Sequence, residues 1–266
     1  LAALLISFLL WPVFKKQLSW NRIFIFSLFG YLFSGLLDAC TSYGTSLLWP
    51  LSDQRISFNI ISIIDPIFSL LLLAGVISAS IRKNPRFAQL SLFMAALYLA
   101  LGWLQHQRVE QISLQLAQQR GHHAERLLVK PTLGNLFLWR SIYLHQNTFY
   151  IDAIRLNPFT AESRLFPGEY ITRFDSRHHQ LNLAPDSVLQ KDIERFSAFT
   201  SDFLAIHPAQ SQLIHDVRYS NLPTSSLPLW GISFDPDKPE QHARYHLFRD
   251  SSRETRDSFM QMLLNQ

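Results

Sequence analysis

The charged residues of this chain are distributed very unevenly. Residues 1–106 carry only seven basic and three acidic side chains, so the whole formal net charge of +4 lies in this part. The rest of the chain balances 17 basic against 17 acidic residues. A helix needs about 20 mostly apolar residues to cross the hydrocarbon core of a bilayer. The distribution therefore predicts an N-terminal membrane part and a C-terminal water-soluble part.

Four apolar segments predict the transmembrane helices, at residues 1–14, 23–37, 60–81 and 87–104. Core helices of a soluble protein would need polar faces, and these segments have almost none. Because the first segment opens the chain, we expect it to be the end of a longer span that begins upstream of Leu1. The predicted fold is a membrane α-helical bundle of about four transmembrane helices over residues 1–106, followed by a soluble α+β domain over residues 107–266.

Basic residues in the two short loops predict the orientation. They are Lys15, Lys16 and Arg22 in the first loop and Arg82, Lys83 and Arg86 in the second. Loops rich in Lys and Arg face the cytoplasm. We therefore expect a multi-pass protein of a bacterial inner membrane, with residues 39–59 and the C-terminal domain on the periplasmic side.

The C-terminal domain shows strand and helix patterns in turn. Apolar and polar residues alternate over 136–143 and 148–156 around a turn at residues 145–147, which predicts a β-hairpin. Further strands are predicted at 169–174, 212–219, 229–234 and 243–249, and helices at 107–126, 185–207 and 252–264. The adjacent His215 and Asp216 could orient a catalytic imidazole, but no Gly-x-Ser-x-Gly nucleophile motif accompanies them.

Composition excludes several classes of function. A single cysteine, Cys40, excludes a disulfide framework and a Cys-rich zinc site. No Lys/Arg patch is interleaved with aromatic residues, which argues against a nucleic-acid partner. The partner that the sequence predicts is the lipid bilayer itself.

Acidic residues at the ends of the apolar segments are the first functional candidates. Asp38 closes the second segment and Asp65 lies early in the third, with Arg55 in the loop between them. A charged side chain at mid-bilayer costs roughly 2.5–3.5 kcal/mol on insertion scales, so such residues usually have a function. Two carboxylates suit a divalent cation that activates water, and an arginine suits an anionic oxygen of a substrate.

A structural interpretation of the same residues remains open. Asp38 would then cap a helix end, Arg55 would pair with Asp53 or Asp65, and Trp49 would anchor the loop at the membrane interface. Residue spacing alone does not decide between this interpretation and a metal site.

The region around these residues resembles the signature of the YdjM/YbcI-type inner-membrane proteins, the DUF457 group of metal-dependent hydrolases. The similar residues are Leu36-Leu37-Asp38-Ala39-Cys40-Thr41-Ser42-Tyr43-Gly44-Thr45, Leu48-Trp49-Pro50-Leu51-Ser52, Arg55 and Asp65-Pro66. Longer family members resemble this chain again at Lys130-Pro131-Thr132-Leu133-Gly134-Asn135-Leu136, Trp139-Arg140 and Asp216-Val217-Arg218-Tyr219.

The resemblance implies a role for each signature residue. It implies a divalent metal ion, zinc first, with Asp38 and Asp65 as ligands. Arg55 and Asp65 would be the catalytic groups. Substrate contacts would come from Thr41, Tyr43, Trp49 and Arg55.

Two positions depart from the family pattern. Ser34 stands where the family has a histidine, four residues before Asp38. The family's His-Arg and Thr-His-Ser stretch precedes its first span and would lie upstream of Leu1. The serine removes one expected metal ligand.

Three functions follow as hypotheses. The first is a membrane-bound metal-dependent hydrolase of a phosphoester or lipid-linked substrate, because the ligand set of the family is distantly similar to that of zinc phospholipases. The second is a non-catalytic, membrane-anchored binding or assembly protein that has lost the metal. A small-molecule transporter is the third, but four spans and three acidic residues in the membrane part give it little support.

Overall fold

The computed structural model describes residues 1–175 and 183–264. The chain divides into two compact units, Leu1–Gly102 and Trp103–Gln266. The sequence places its domain boundary after residue 106, close to this division. The adjacent histidines His178 and His179 lie outside the described residues.

The first unit is helical. Its helices are α1 (Ala2–Phe14), α2 (Trp20–Ala39), α3 (Pro66–Arg82) and α4 (Arg86–Gln119), the last of which continues into the second unit. Of the helices that the structure describes, α2 and α4 are long and apolar enough to cross a membrane, whereas α1 and α3 are shorter apolar helices. At 1.5 Å per residue, α1 and α3 reach about 20 and 26 Å, less than the roughly 30 Å of the hydrocarbon core.

The expectation of four full-length spans therefore needs correction. The apolar segment predicted from residue 60 becomes helical only at Pro66, because Asp65 caps the helix and the residues before it belong to the preceding loop. Two helices have spanning length, and two apolar helices accompany them.

Close packing joins the helices of the first unit. Rings of Phe8 and Trp20 meet at 4.8 Å between α1 and α2. A Cβ atom on Gly75 of α3 would lie 1.9 Å from Oγ of Ser91 on α4, so only glycine allows this approach. Many apolar side chains on the outer surfaces are more than half exposed, among them Phe33, Leu70 and Phe93. Such a surface suits lipid contact.

In its described residues the second unit contains two antiparallel four-stranded sheets, each with its strands in chain order. The first sheet comprises β1 (Arg126–Pro131), β2 (Leu138–His145), β3 (Thr148–Leu156) and β4 (Ser163–Thr172). The second comprises β5 (Leu204–His207), β6 (Gln210–Asp216), β7 (Trp230–Ser233) and β8 (Arg244–Leu247). Helices α5 (Val188–Thr200) and α6 (Arg253–Leu264) complete the unit.

Several hydrophobic clusters hold the described part of this unit together. Phe149, Ile151 and Ala205 belong to a cluster that includes residues of both sheets, and a bridge between Arg173 and Ala205 also joins the sheets. Leu189 and Ile193 of α5 pack in another cluster. The described part of the unit is thus an antiparallel β domain with α5, α6 and the last turns of α4.

Some predicted elements of this unit need correction. The helix predicted over residues 185–207 ends at Thr200, because Ser201 and Asp202 adopt left-handed backbone angles, and β5 follows. The helix predicted over residues 107–126 is the continuation of α4 and ends at Gln119, and strand β1 begins at Arg126. Proline at its end, Pro131, is tolerated because β1 is an edge strand.

Candidate functional site

The loop between α2 and α3 folds back onto the end of α2. The amide of Phe58 donates to the carbonyl of Ala39 at 2.8 Å, and that of Ile60 donates to Cys40 at 3.0 Å. Within the loop, Thr45 and Ile56 exchange two backbone hydrogen bonds. Cys40, Ile60, Ile61 and Phe68 share one buried cluster with Ala95 of α4. The end of α2 and the start of α3 are therefore packed together.

Asp65 is a buried carboxylate with two hydrogen-bond donors. Its Oδ1 accepts from the backbone N–H of Phe68 at 3.0 Å, as a helix N-cap does. Its Oδ2 accepts from the hydroxyl of Tyr98 at 2.8 Å. Only 4% of Asp65 is exposed. Tyr98 was not predicted as a site residue, although a phenol within an apolar helix is a signal because its hydroxyl needs a partner.

Asp38 differs from Asp65 because it is exposed. Its backbone carbonyl accepts from the amide and the hydroxyl of Thr41, at 3.0 and 2.8 Å. Thr41 thus closes the end of α2. Ser34, one turn earlier, donates its hydroxyl to the carbonyl of Tyr31 in its own helix at 2.9 Å.

Arg55 and Gly44 meet across the loop. Arg55 Nη2 donates to the carbonyl of Gly44 at 3.1 Å. Gly44 has a φ of +66°, and a Cβ atom there would lie 2.5 Å from the carbonyl oxygen of Ile56. In the same loop, Ser57 Oγ donates a hydrogen bond of 2.9 Å to the carbonyl of Thr41. Thr41, Gly44 and Arg55 of the signature therefore help to hold the loop in shape.

The tip of the loop presents large apolar side chains to its surroundings. Trp49 is 71% exposed and Leu51 is 92% exposed, and neighbouring Leu48 is exposed as well. All three lie between Thr45 and Ile56, whose backbones pair at the base of the tip. Tyr43 is half-buried nearer the bridge. The predicted substrate contacts are therefore divided between an ordered base at Thr41, Tyr43 and Arg55 and a protruding apolar tip at Trp49.

The donor set at this end of the unit fits part of a metal site. In residues 1–175 and 183–264, no group of three or more His, Cys, Asp or Glu side chains is placed to hold a metal ion. Asp38 is free to face solvent, and each oxygen of Asp65 keeps a second lone pair beside its hydrogen bond. Both carboxylates can therefore act as oxygen donors, and a complete site needs further ligands.

Motif residues far apart in sequence meet in the second unit. Arg140 is buried and donates four hydrogen bonds, of 2.8–3.2 Å, to the carbonyls of Val217, Leu222, Pro223 and Ser225. Lys130 lies with Nζ 3.3 Å from the ring centroid of Tyr219. Burial lowers the pKa of Lys130 well below its usual range, and neighbouring Arg140 lowers it further.

The pair His215 and Asp216 does not form a triad. Neighbouring side chains on a strand point to opposite faces. Asp216 is fully buried and binds Arg218, whose Nη2 lies 2.8 Å from Oδ2. Burial, with a contribution from His207, lowers the pKa of His215 to about 3. His215 is therefore a neutral core residue at physiological pH.

These features define a membrane-associated helical protein that carries an antiparallel β domain. Residues 1–109 match the family whose description is YdjM inner membrane protein. This match confirms the predicted resemblance over the part of the chain that holds Asp38, Arg55 and Asp65. No curated protein and no solved structure matches the chain.

Proposed function

We propose that this protein is a membrane-bound, metal-dependent hydrolase whose site lies where α2 ends and α3 begins. The observation that carries the proposal is the folded-back loop, which packs the end of α2 that bears Asp38 against the start of α3 that bears Asp65. The match to an inner membrane family over the same residues supports it.

Each residue would have a distinct task. Asp65 is oriented by Phe68 N–H and Tyr98 O–H, so its carboxylate is held in place before any ligand binds. Asp38 offers an exposed carboxylate. When bound, a divalent ion such as zinc would supply Lewis-acid activation of water. Arg55 would bind an anionic oxygen of the substrate.

A phosphoester or lipid-linked molecule is the proposed substrate class. The guanidinium of Arg55 suits a phosphate oxygen. The exposed side chains of Leu48, Trp49 and Leu51 suit contact with acyl chains or the membrane interface, where tryptophan is enriched. Thr41 and Tyr43 would line the base of the same loop.

The site and the C-terminal domain are proposed to face the periplasm. The basic residues of the two short loops support this orientation, since such loops stay in the cytoplasm. This orientation requires α3 to cross the bilayer together with α2 and α4, and its 17 residues lie at the short end of the range for spanning helices. Alkaline phosphatase fused after Gln266 should be active, because it folds only outside the cytoplasm. A fusion that is inactive, while a cytoplasmic reporter at the same position works, would overturn this orientation.

A non-catalytic binding or assembly protein is the second candidate. Two residues favour it. Ser34 donates its hydroxyl to its own helix and cannot replace the family's histidine ligand. Asp65 already serves as a helix cap. In this case the membrane part would anchor the β domain.

Phosphodiester hydrolysis separates the two candidates. The full-length protein in detergent should hydrolyse bis(p-nitrophenyl) phosphate after zinc loading, and chelation should stop the reaction. Asp38→Asn should lower the rate by more than about tenfold, as expected for a lost metal ligand. Asp53→Asn is the matched control, because Asp53 is an exposed acid of the same loop. A rate no higher than that of a protein-free control, equal in the wild type and Asp38→Asn and unaffected by chelation, would favour the non-catalytic candidate.

A further inference from the structure

A cleft of about 500 Å³ opens in the second unit. It lies between the turn that joins β5 to β6, the end of β7 and the loop that leads to β8. Sites for small molecules typically enclose about 300–1,000 Å³, so the cleft is large enough for one sugar-sized ligand. Its lining residues are mostly polar, and they include Gln210, Gln212, Phe234, Gln241 and Arg244.

The charges around the cleft leave one cation available. Lys238 pairs with Asp235 at 2.9 Å, and His242 pairs with Asp192 at 2.8 Å. Within the part of the chain that the structure describes, Arg244 is exposed and its side chain has no hydrogen bond or ion pair, whereas its backbone pairs with Ser233 in the sheet. A guanidinium binds phosphate through two parallel hydrogen bonds, which an ammonium group does not match. The cleft is therefore suited to one anionic group beside Arg244.

The uncharged lining residues suit hydroxyl groups. The amides of Gln210, Gln212 and Gln241 each offer both donors and an acceptor, as a polyol requires. Phe234 is buried in the core and only 7% exposed, so it contributes an apolar part of the cleft floor. Neither an apolar ligand nor a bare anion would use all of these groups.

We propose that this cleft binds a phosphorylated saccharide or polyol, with Arg244 on the phosphate and the glutamine amides on the hydroxyls. The same chemistry occurs in a free sugar phosphate and in a lipid headgroup. The proposal goes beyond the hydrolase site, because every lining residue lies in the second unit.

Calorimetric titration of the full-length protein tests this proposal. The detergent should be an amine oxide, which contains neither sugar nor phosphate. The probes are glucose 1-phosphate, glucose, inorganic phosphate and short-chain phosphatidylinositol. Glucose 1-phosphate or phosphatidylinositol should bind at least tenfold more tightly than glucose or phosphate alone. Tighter binding of glucose 1-phosphate identifies a free sugar phosphate as the ligand, and tighter binding of phosphatidylinositol identifies a lipid headgroup. Binding of neither, or equal binding of inorganic phosphate, would overturn the proposal.

Two arginine variants locate the binding. Arg244→Gln should weaken binding by about tenfold or more, the usual effect of losing a charged hydrogen bond. Arg249→Gln should leave it unchanged, because Arg249 is also exposed but does not line the cleft. Equal affinities for Arg244→Gln and Arg249→Gln would overturn the assignment. Asp38→Asn should bind normally, so failure of the hydrolase proposal and failure of this one give different results.

Discussion

The hydroxyl of Tyr98 donates a 2.8 Å hydrogen bond to Oδ2 of Asp65, and so links the middle of α4 to the first turn of α3. The other carboxylate oxygen of Asp65 caps α3. A hydrogen bond to a charged group contributes about 1.5–3 kcal/mol when its partners are buried. This bond is therefore a principal polar contact between two apolar helices.

Replacing Tyr98 with phenylalanine should destabilise the first unit by roughly 1–3 kcal/mol, because the carboxylate of Asp65 loses a donor while the cap remains. Unfolding by SDS titration in mixed micelles measures this free energy. Tyr31→Phe is the control, since Tyr31 is an exposed tyrosine of α2. Equal stabilities of the two variants would show that the hydrogen bond does not contribute.

Gly44→Ala should distort the loop that carries Arg55. An alanine would need a φ near +66° and would place Cβ 2.5 Å from the carbonyl oxygen of Ile56. Such strain costs about 1–3 kcal/mol. Gly30→Ala is the control, because a Cβ atom there meets nothing within 4 Å. Faster hydrogen exchange of residues 39–61 should appear in Gly44→Ala alone, and unchanged exchange would contradict this account.

Local patterns predicted much of the fold. The β2–β3 hairpin was predicted from alternation around a turn, and the structure confirms it with positive φ angles at Gln146 and Asn147. Patterns could not show where helix α5 stops, because Ser201 and Asp202 leave helical geometry without a proline or glycine. The late start of α3 was not predicted either, because it depends on Asp65 acting as the helix N-cap and not as a residue within the span.

The candidate site was predicted only in part. Asp38, Arg55 and Asp65 stand out because charges are rare in the apolar part of the chain. The contact between Asp65 and Tyr98 joins residues 33 positions apart, which no local pattern reveals. The carbonyls that surround Arg140 come from a loop about 80 residues away, and only tertiary packing brings them together.

Arg140→Met should destabilise the second unit by more than about 3 kcal/mol, because four carbonyls lose a buried charged donor. Burial lowers the pKa of Arg140 to about 9, so the side chain remains charged at neutral pH. Hydrogen exchange of the loop over residues 217–226 measures the effect. Arg195→Met is the control, since Arg195 is largely exposed. Unchanged protection in Arg140→Met would refute the structural role.

Stability of the second unit should fall as the pH is lowered below about 6.5, the usual pKa of a histidine in an unfolded chain. The folded state keeps His215 neutral down to about pH 3, so in this window the unfolded state binds the extra proton. The slope contributed by His215 is about 1.4 kcal/mol for each pH unit. Above pH 6.5 both states are neutral, and this contribution to stability is fully present.

The variant His215→Leu should flatten this dependence between pH 6.5 and pH 4.5, and His242→Leu should not, because His242 is exposed. Thermal unfolding midpoints over this range give the comparison. A pH dependence that is the same in His215→Leu and in the wild type would show that another group titrates.

Metal content tests the hydrolase account most directly. The full-length protein, including any residues upstream of Leu1, should be purified without chelators and its metal measured by mass spectrometry beside Asp38→Ala and Asp53→Ala. The account predicts stoichiometric zinc or another divalent ion in the wild type and in Asp53→Ala, and a clear loss in Asp38→Ala. Substoichiometric metal in the wild type, unchanged in Asp38→Ala, would contradict it.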